Sequence, residues 1–161
     1  MIKIISNKKG FSLIELMVVV VILGLIVLGL VTFFTGGARS WISGQSQLEA
    51  QRNARQAMDL MVREIREGKS YSSTTSSVTV DIPALGSDSA YSVTYKKIVN
   101  IIYREVNSVP VPLINNVKTL SFPLTDSSKV HVILEVDVDE DGNPDITLDT
   151  DVNLRNYGLG T

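Results

Sequence analysis

Nine residues near the carboxy terminus, Asp137-Val138-Asp139-Glu140-Asp141-Gly142-Asn143-Pro144-Asp145, space oxygen donors as a hard cation requires. Carboxylates at alternating positions, a glycine that permits a sharp turn and a further carboxylate three residues on match the first nine positions of an oxygen-rich calcium loop. Ca²⁺ takes about six to eight oxygens. The candidate ligands are Asp137, Asp139, Asp141, Asp145 and the Asn143 carbonyl. At the twelfth position, where an EF-hand carries Glu, this chain has Leu148, so Asp149 or Asp151 would have to substitute. The same residues also suit an acidic β-hairpin turn, because Asp-Gly and Asn-Pro are turn formers. Repulsion among four clustered carboxylates without a counter-ion favours the cation.

A second carboxylate stands where its chemistry needs a different explanation. Glu15 opens an apolar run in which 23 consecutive positions, Leu16 to Ala38, carry no formal charge. That is long enough to cross a membrane. An isolated carboxylate near hydrocarbon costs roughly several kcal/mol, so a segment selected for lipid alone would not keep it. Lys3, Lys8 and Lys9 precede the run, and the positive-inside rule then leaves the amino terminus cytoplasmic and exports everything after Phe34. A secretory signal peptide has a shorter apolar core, of about 7 to 15 residues, and a small-residue cleavage site. Thr35-Gly36-Gly37-Ala38 makes a poor one. A plain signal anchor fits the length but gives no reason for Glu15.

Composition removes other chemistries. The 161 residues include no cysteine and one histidine, His131, which excludes disulfides, thiolate sites and multi-histidine metal centres. Fifteen basic residues against 17 acidic ones leave the chain near neutrality, with no global electrostatic case for nucleic acid. Arg52, Arg55, Arg63 and Arg66 are interleaved with acids and read as a solvated helix face, so no direct nucleic-acid site is evident. No paired acid/base constellation, phosphate loop or nucleophile motif is present, and an enzyme is not expected.

The elements that must position these residues follow from periodicity. From Ala38 to Gly68 the chain is charged, helix-favouring and free of proline. Ala50, Ala54, Ala57, Met61 and Ile65 share one helical face, widened by Met58 and Val62, and Gly68 is a stop signal. Continued back to Ser12, one helix would be roughly 80 Å long. Lys69 to Ser77 reads as a polar loop. Alternation then predicts strands at Val78-Val80-Ile82, Tyr91-Val93-Tyr95 and Val130-Val132-Leu134-Val136. Further strand candidates are Ile98 to Arg104 and Val117 to Phe122, with Pro110 and Pro112 marking a loop or an edge. His131 faces away from Val130 and Val132 and reads as a surface or cross-strand residue. The expected fold class is α+β: a long amino-terminal helix packed on a small, mostly antiparallel sheet of about four to six strands.

The string Lys8-Lys9-Gly10-Phe11-Ser12-Leu13-Ile14-Glu15-Leu16 resembles the prepilin signature of type IV pilins and type II secretion pseudopilins. Downstream, YREVNSVPVPLINNVKTLSF followed by a strand, the acidic turn and VNLRN resembles the heads of W-type minor pilins and J-type pseudopilins. The resemblance implies cleavage by a prepilin peptidase after Gly10 and methylation of the new amino terminus, Phe11. It also implies that the Glu15 carboxylate neutralises the terminal amine of a neighbouring subunit. Many major pilins carry a helix-kinking proline in this segment and residues 11 to 34 have none, which suits a minor pilin or pseudopilin. The expected organisation is a cytoplasmic leader (1–10), a transmembrane and filament-core helix (11–37), an amphipathic helix (38–68) and a β-rich head (69–161). The implied protein is a structural subunit, single-pass in the inner membrane and then part of a filament outside the cytoplasm, whose partners are the peptidase and other subunits. The alternative is a monomeric, membrane-anchored extracytoplasmic calcium-binding domain.

Overall fold

The computed structural model describes residues 10–84 and 89–158, so the expected leader lies outside the described residues up to position 9. One helix, α1 (Leu13–Glu67), is followed by nine strands: β1 (Ser70–Thr74), β2 (Ser77–Ile82), β3 (Tyr91–Ile98), β4 (Ile101–Val106), β5 (Val109–Ile114), β6 (Val117–Ser121), β7 (Leu124–Asp126), β8 (Lys129–Val136) and β9 (Ile146–Asn153). The chain divides into two compact units between Gly44 and Gln45.

In the first unit every described residue is exposed. The helix continues through Gly24, Gly29, Gly36 and Gly37 without interruption, although each glycine costs an isolated helix about 1 kcal/mol relative to alanine. A Cβ added at any of the four would meet nothing within 4 Å. Thr32 and Thr35 donate their hydroxyls back to the carbonyls of Leu28 and Val31, both at 2.9 Å. Their polar groups are thus satisfied within the helix, as hydrocarbon surroundings require.

The second unit is built on the stripe that periodicity marks. Ala54, Ala57, Met58, Met61 and Ile65 are buried, with Ala50 and Val62 half-buried beside them. Against them lie Val78, Val80, Val93, Tyr95 and Ile102 from one sheet, and Leu120, Val130, Val132, Leu134, Val136 and Val152 from another, in one continuous core. The first sheet is an antiparallel meander, β1-β2-β3-β4-β5. In the second, β8 is central: β9 pairs along its whole length, while β6 and β7 share its other edge. Strict in/out alternation along β8 puts Val130, Val132, Leu134 and Val136 inside.

The α+β class with one long helix is as expected, and so is the placing of Pro110 and Pro112 at an edge. Among the described residues, however, the head has nine strands in two sheets where one sheet of about four to six strands is expected, and two segments differ locally. The polar segment 69–77, read as a loop, contains β1 and the turn into β2. Two of its hydroxyls find distant partners that hold a strand in place: Ser70 donates to Asp81 at 2.9 Å and Tyr71 donates to the Asp126 carbonyl at 2.7 Å. The candidate strand Ile98–Arg104 is interrupted by a reversal at Val99-Asn100, with Val99 at φ 57°. Asn107 and Ser108, both at positive φ, reverse the chain again, the two-residue geometry that matches strand twist. Pro110 and Pro112 then lie on β5, an edge strand, where a missing N–H is tolerated.

One charged residue lies inside the helical stripe. Glu64 is buried and is held by Arg104 on β4, with Nη2 to Oε1 at 2.6 Å and Nε to Oε2 at 3.0 Å. The Tyr95 hydroxyl donates to the same carboxylate. Burial and the Glu64 carboxylate push the Tyr95 phenol well up, so it remains a donor, and the hydrogen bonds to Glu64 hold Arg104 protonated. The helix ends where Gly68 passes close to the sheet: a Cβ there would press on Val80 Cγ1 and lie 3.3 Å from Leu154 Cδ2. The last described segment closes this end. Arg155 donates its N–H to the Arg66 carbonyl at 2.7 Å, and Asn156 donates Nδ2 to the Glu67 carbonyl at 2.8 Å. These acceptors have no partner within a helix.

Two stability predictions follow from this packing. Arg104→Ala leaves Glu64 buried without its cation and is expected to lower unfolding free energy by about 3 kcal/mol, read by denaturant titration. Replacing both residues by Met costs less than the single variant, because the orphaned charge is gone. Gly68→Ala is expected to cost about 1–3 kcal/mol through overpacking, where an alanine at Gly24 leaves the head transition unchanged.

Candidate functional site

The residues expected to carry processing and assembly lie at the start of α1. Ser12 is the last residue before the helix, and its carbonyl accepts from the N–H groups of Glu15 at 3.1 Å and Leu16 at 3.2 Å. The Glu15 side chain turns back, and Oε2 accepts the Ser12 N–H at 3.0 Å. This is the glutamate half of a capping box, in which a residue at the third helical position satisfies the donor at the cap. The positive end of the helix dipole favours the same carboxylate. Ser-x-x-Glu before an apolar run is a sequence signal for this arrangement, and it is legible in Ser12-Leu13-Ile14-Glu15. It gives Glu15 a local role besides that of a charge set close to hydrocarbon.

Phe11 is 87% exposed and a Cβ on Gly10 would meet nothing within 4 Å. Neither residue type is therefore demanded by packing among the described residues. The helix beyond them presents Leu13, Ile14, Leu16, Met17 and the following apolar side chains unburied as far as Phe34, with Trp41 and Ile42 further on. By length and composition it is able to cross a membrane.

Residues 5–31 match the family model for the prokaryotic N-terminal methylation motif. The segment carries a prepilin-type signature. The matched prepilin-type span includes Gly10, Phe11 and Glu15, and it implies processing by a prepilin peptidase and a pilin type of assembly. The matched span runs into the exposed apolar helix that is long enough to cross a membrane. No curated protein and no solved structure matches the chain.

The acidic turn lies in the second unit, between β8 and β9. The structure brings a carboxylate oxygen from each of Asp137, Asp139 and Asp145 within 4.8 Å of one another. Asp141 and Asn143 engage each other: Asp141 accepts the Asn143 N–H at 2.7 Å and its Nδ2 at 3.2 Å. Those bonds, from the Asn143 backbone first, hold the Asp141 carboxyl below its usual range. Asp149 and Asp151, the candidate substitutes for a twelfth-position ligand, face across to β8. Asp149 lies 3.3 Å from His131 Nε2, while Asp151 lies 2.8 Å from His131 Nδ1 and 2.7 Å from Lys129 Nζ. His131 is accordingly a cross-strand residue, with Asp151 directly opposite in register.

The cap at Ser12 predicts different outcomes for two substitutions. In detergent micelles, Glu15→Ala is expected to speed amide exchange over the first helical turn about fivefold, the equivalent of losing about 1 kcal/mol of capping. Glu15→Gln retains a side-chain acceptor and is expected to exchange like the parent.

Proposed function

We propose that this chain is a structural subunit of a type IV pilus-like filament, a minor pilin or a type II secretion pseudopilin. A prepilin peptidase cuts after Gly10 and methylates Phe11. The chain waits in the inner membrane with a cytoplasmic amino terminus, and α1 then packs against related subunits outside the cytoplasm. The observation that carries this reading is the methylation motif over residues 5–31, running into a helix whose large apolar side chains are exposed from Leu13 to Phe34. The absence of proline from residues 11 to 34 and the unbroken course of α1 support a minor or pseudopilin role over that of a major subunit.

The capping bond between Ser12 and Glu15 favours a second reading, a monomeric membrane-anchored extracytoplasmic domain, because it supplies the carboxylate with a partner in the absence of any neighbour. Charge separates the two. A filament contact to a terminal amine needs the negative charge of Glu15, whereas the cap needs only an acceptor.

In a host with an active prepilin peptidase, mass spectrometry of the mature protein is expected to show a chain beginning at methylated Phe11. Recovery of a chain retaining Met1 to Gly10 would overturn the proposal. Glu15→Gln is expected to reach the membrane in normal amounts and to be missing from sheared filaments. Normal incorporation of that variant would favour the monomeric anchor.

A further inference from the structure

We propose that the turn between β8 and β9 is a calcium site in which Asp137, Asp139 and Asp145 are the protein carboxylate ligands. Loop carbonyls and water complete the shell.

The geometry is the first support. Ligands sharing one Ca²⁺ lie at most twice a Ca–O distance of about 2.4 Å apart, and the three carboxylates meet that limit, with oxygens within 4.8 Å of one another. The second support is an independent one, from burial. Asp137 is 8% exposed. Its Oδ2 accepts the Gly142 N–H at 2.9 Å, which turns the carboxylate into the loop, while Oδ1 is fully buried and has no hydrogen-bond partner. A buried carboxylate oxygen with nothing to accept is costly, and two further carboxylates close by raise that cost. Among the described residues no lysine or arginine forms an ion pair with Asp137, Asp139 or Asp145. Lys118 donates Nζ to the Gly142 carbonyl instead. Asp145 accepts the Val138 N–H at 2.7 Å and Asp139 the Asp141 N–H at 3.3 Å, so a bound cation would add the counter-charge that neutral donors do not supply.

The donor set selects the cation. All three side chains are hard oxygen donors, which disfavours transition metals that prefer nitrogen or sulfur. Two of the three sit on an exposed, irregular turn with Glu140 and Gly142 at positive φ. Such a turn suits the adaptable shell of Ca²⁺ better than the near-ideal octahedron that Mg²⁺ demands. The site also has a mechanical consequence. Asp137 follows the last residue of β8 and Asp145 precedes the first of β9, and the Asp145 N–H already donates to the Val136 carbonyl at 2.9 Å. An ion held by both clamps the ends of the two strands. The Asp137 N–H donates to Asn116 at 2.9 Å, so the clamp reaches the segment entering β6.

The site stands whether or not the chain enters a filament, and its test uses the full chain in detergent micelles after chelator treatment. Calorimetric titration with CaCl₂ is expected to show one ion per chain, with a dissociation constant of about 0.1–1 mM, the range of extracellular modules. Calcium is expected to raise the thermal midpoint followed by circular dichroism, and EGTA to reverse the rise. Asp139→Asn and Asp145→Asn, both at exposed positions, are expected to weaken binding about tenfold or more, while Asp59→Asn on the exposed face of α1 keeps the parent response. Asp137→Asn removes the buried ligand and is expected to abolish the shift. No saturable binding at about ten times the expected constant would overturn the proposal. So would an equal response to MgCl₂, or a full calcium response in both exposed variants, since either marks general charge screening.

Discussion

The head depends on how one carboxylate is neutralised. Glu64 lies between Met61 and Ile65 on the face of α1 that the sheets cover, and only Arg104 and Tyr95 make that position tolerable. A buried ion pair adds little net stability compared with an apolar pair of the same shape. Its effect is on which arrangement forms. Rotating α1 or sliding it by a turn against the first sheet would leave Glu64 facing Val80 or Val93 without a cation, at a cost of several kcal/mol. The small side chains of Ala54 and Ala57 would accept many registers, and the Glu64–Arg104 pair accepts one.

With α1 fixed in that way, the rest of the head closes around its carboxy-terminal end. Gly68 lets the chain leave the helix against Val80, and the segment after β9 returns to satisfy the carbonyls of Arg66 and Glu67. The first element in sequence is therefore completed by the last. Asn156, within the late VNLRN string, is a capping residue for α1. Without the segment after β9 the carbonyls of Arg66 and Glu67 would lose these donors.

Legibility from sequence followed physical type. The helix stripe and β8 were readable because their burial repeats with the period of their own secondary structure, every three to four residues in one and every second residue in the other. The reversals at Val99-Asn100 and Asn107-Ser108 were not readable, since neither carries the glycine that usually marks a left-handed turn residue. The strand β1 is hidden by its serines and threonines, and the contacts that hold it come from distant residues: Ser70 donates to Asp81 and the Tyr71 hydroxyl to the Asp126 carbonyl. At the amino terminus the resemblance to a prepilin signature singles out Gly10, Phe11 and Glu15, but treating Glu15 only as a charge conceals its hydrogen bond to Ser12. In the acidic turn the alternation of aspartates was visible, while the convergence of Asp137, Asp139 and Asp145, with Asp141 turned onto Asn143, required the backbone.

The cap also bears on what processing would do to Glu15. In the uncut chain the carboxylate accepts one backbone N–H, and the dipole of a long helix favours its charge. Both effects reduce the cost of holding it near hydrocarbon without removing that cost. Cleavage after Gly10 would place a positive amine on Phe11, the residue adjoining the Ser12 N–H that the carboxylate already accepts. The charge would then have a counter-ion at the end of its own chain, and an equivalent one on any subunit packed alongside. Which amine it pairs with is a competition between an intramolecular contact, favoured by proximity, and an intermolecular one, favoured by the burial of two exposed apolar helices against each other. The Ser12–Glu15 bond weights that competition, because it fixes the carboxylate in the first turn and limits how far the side chain reaches.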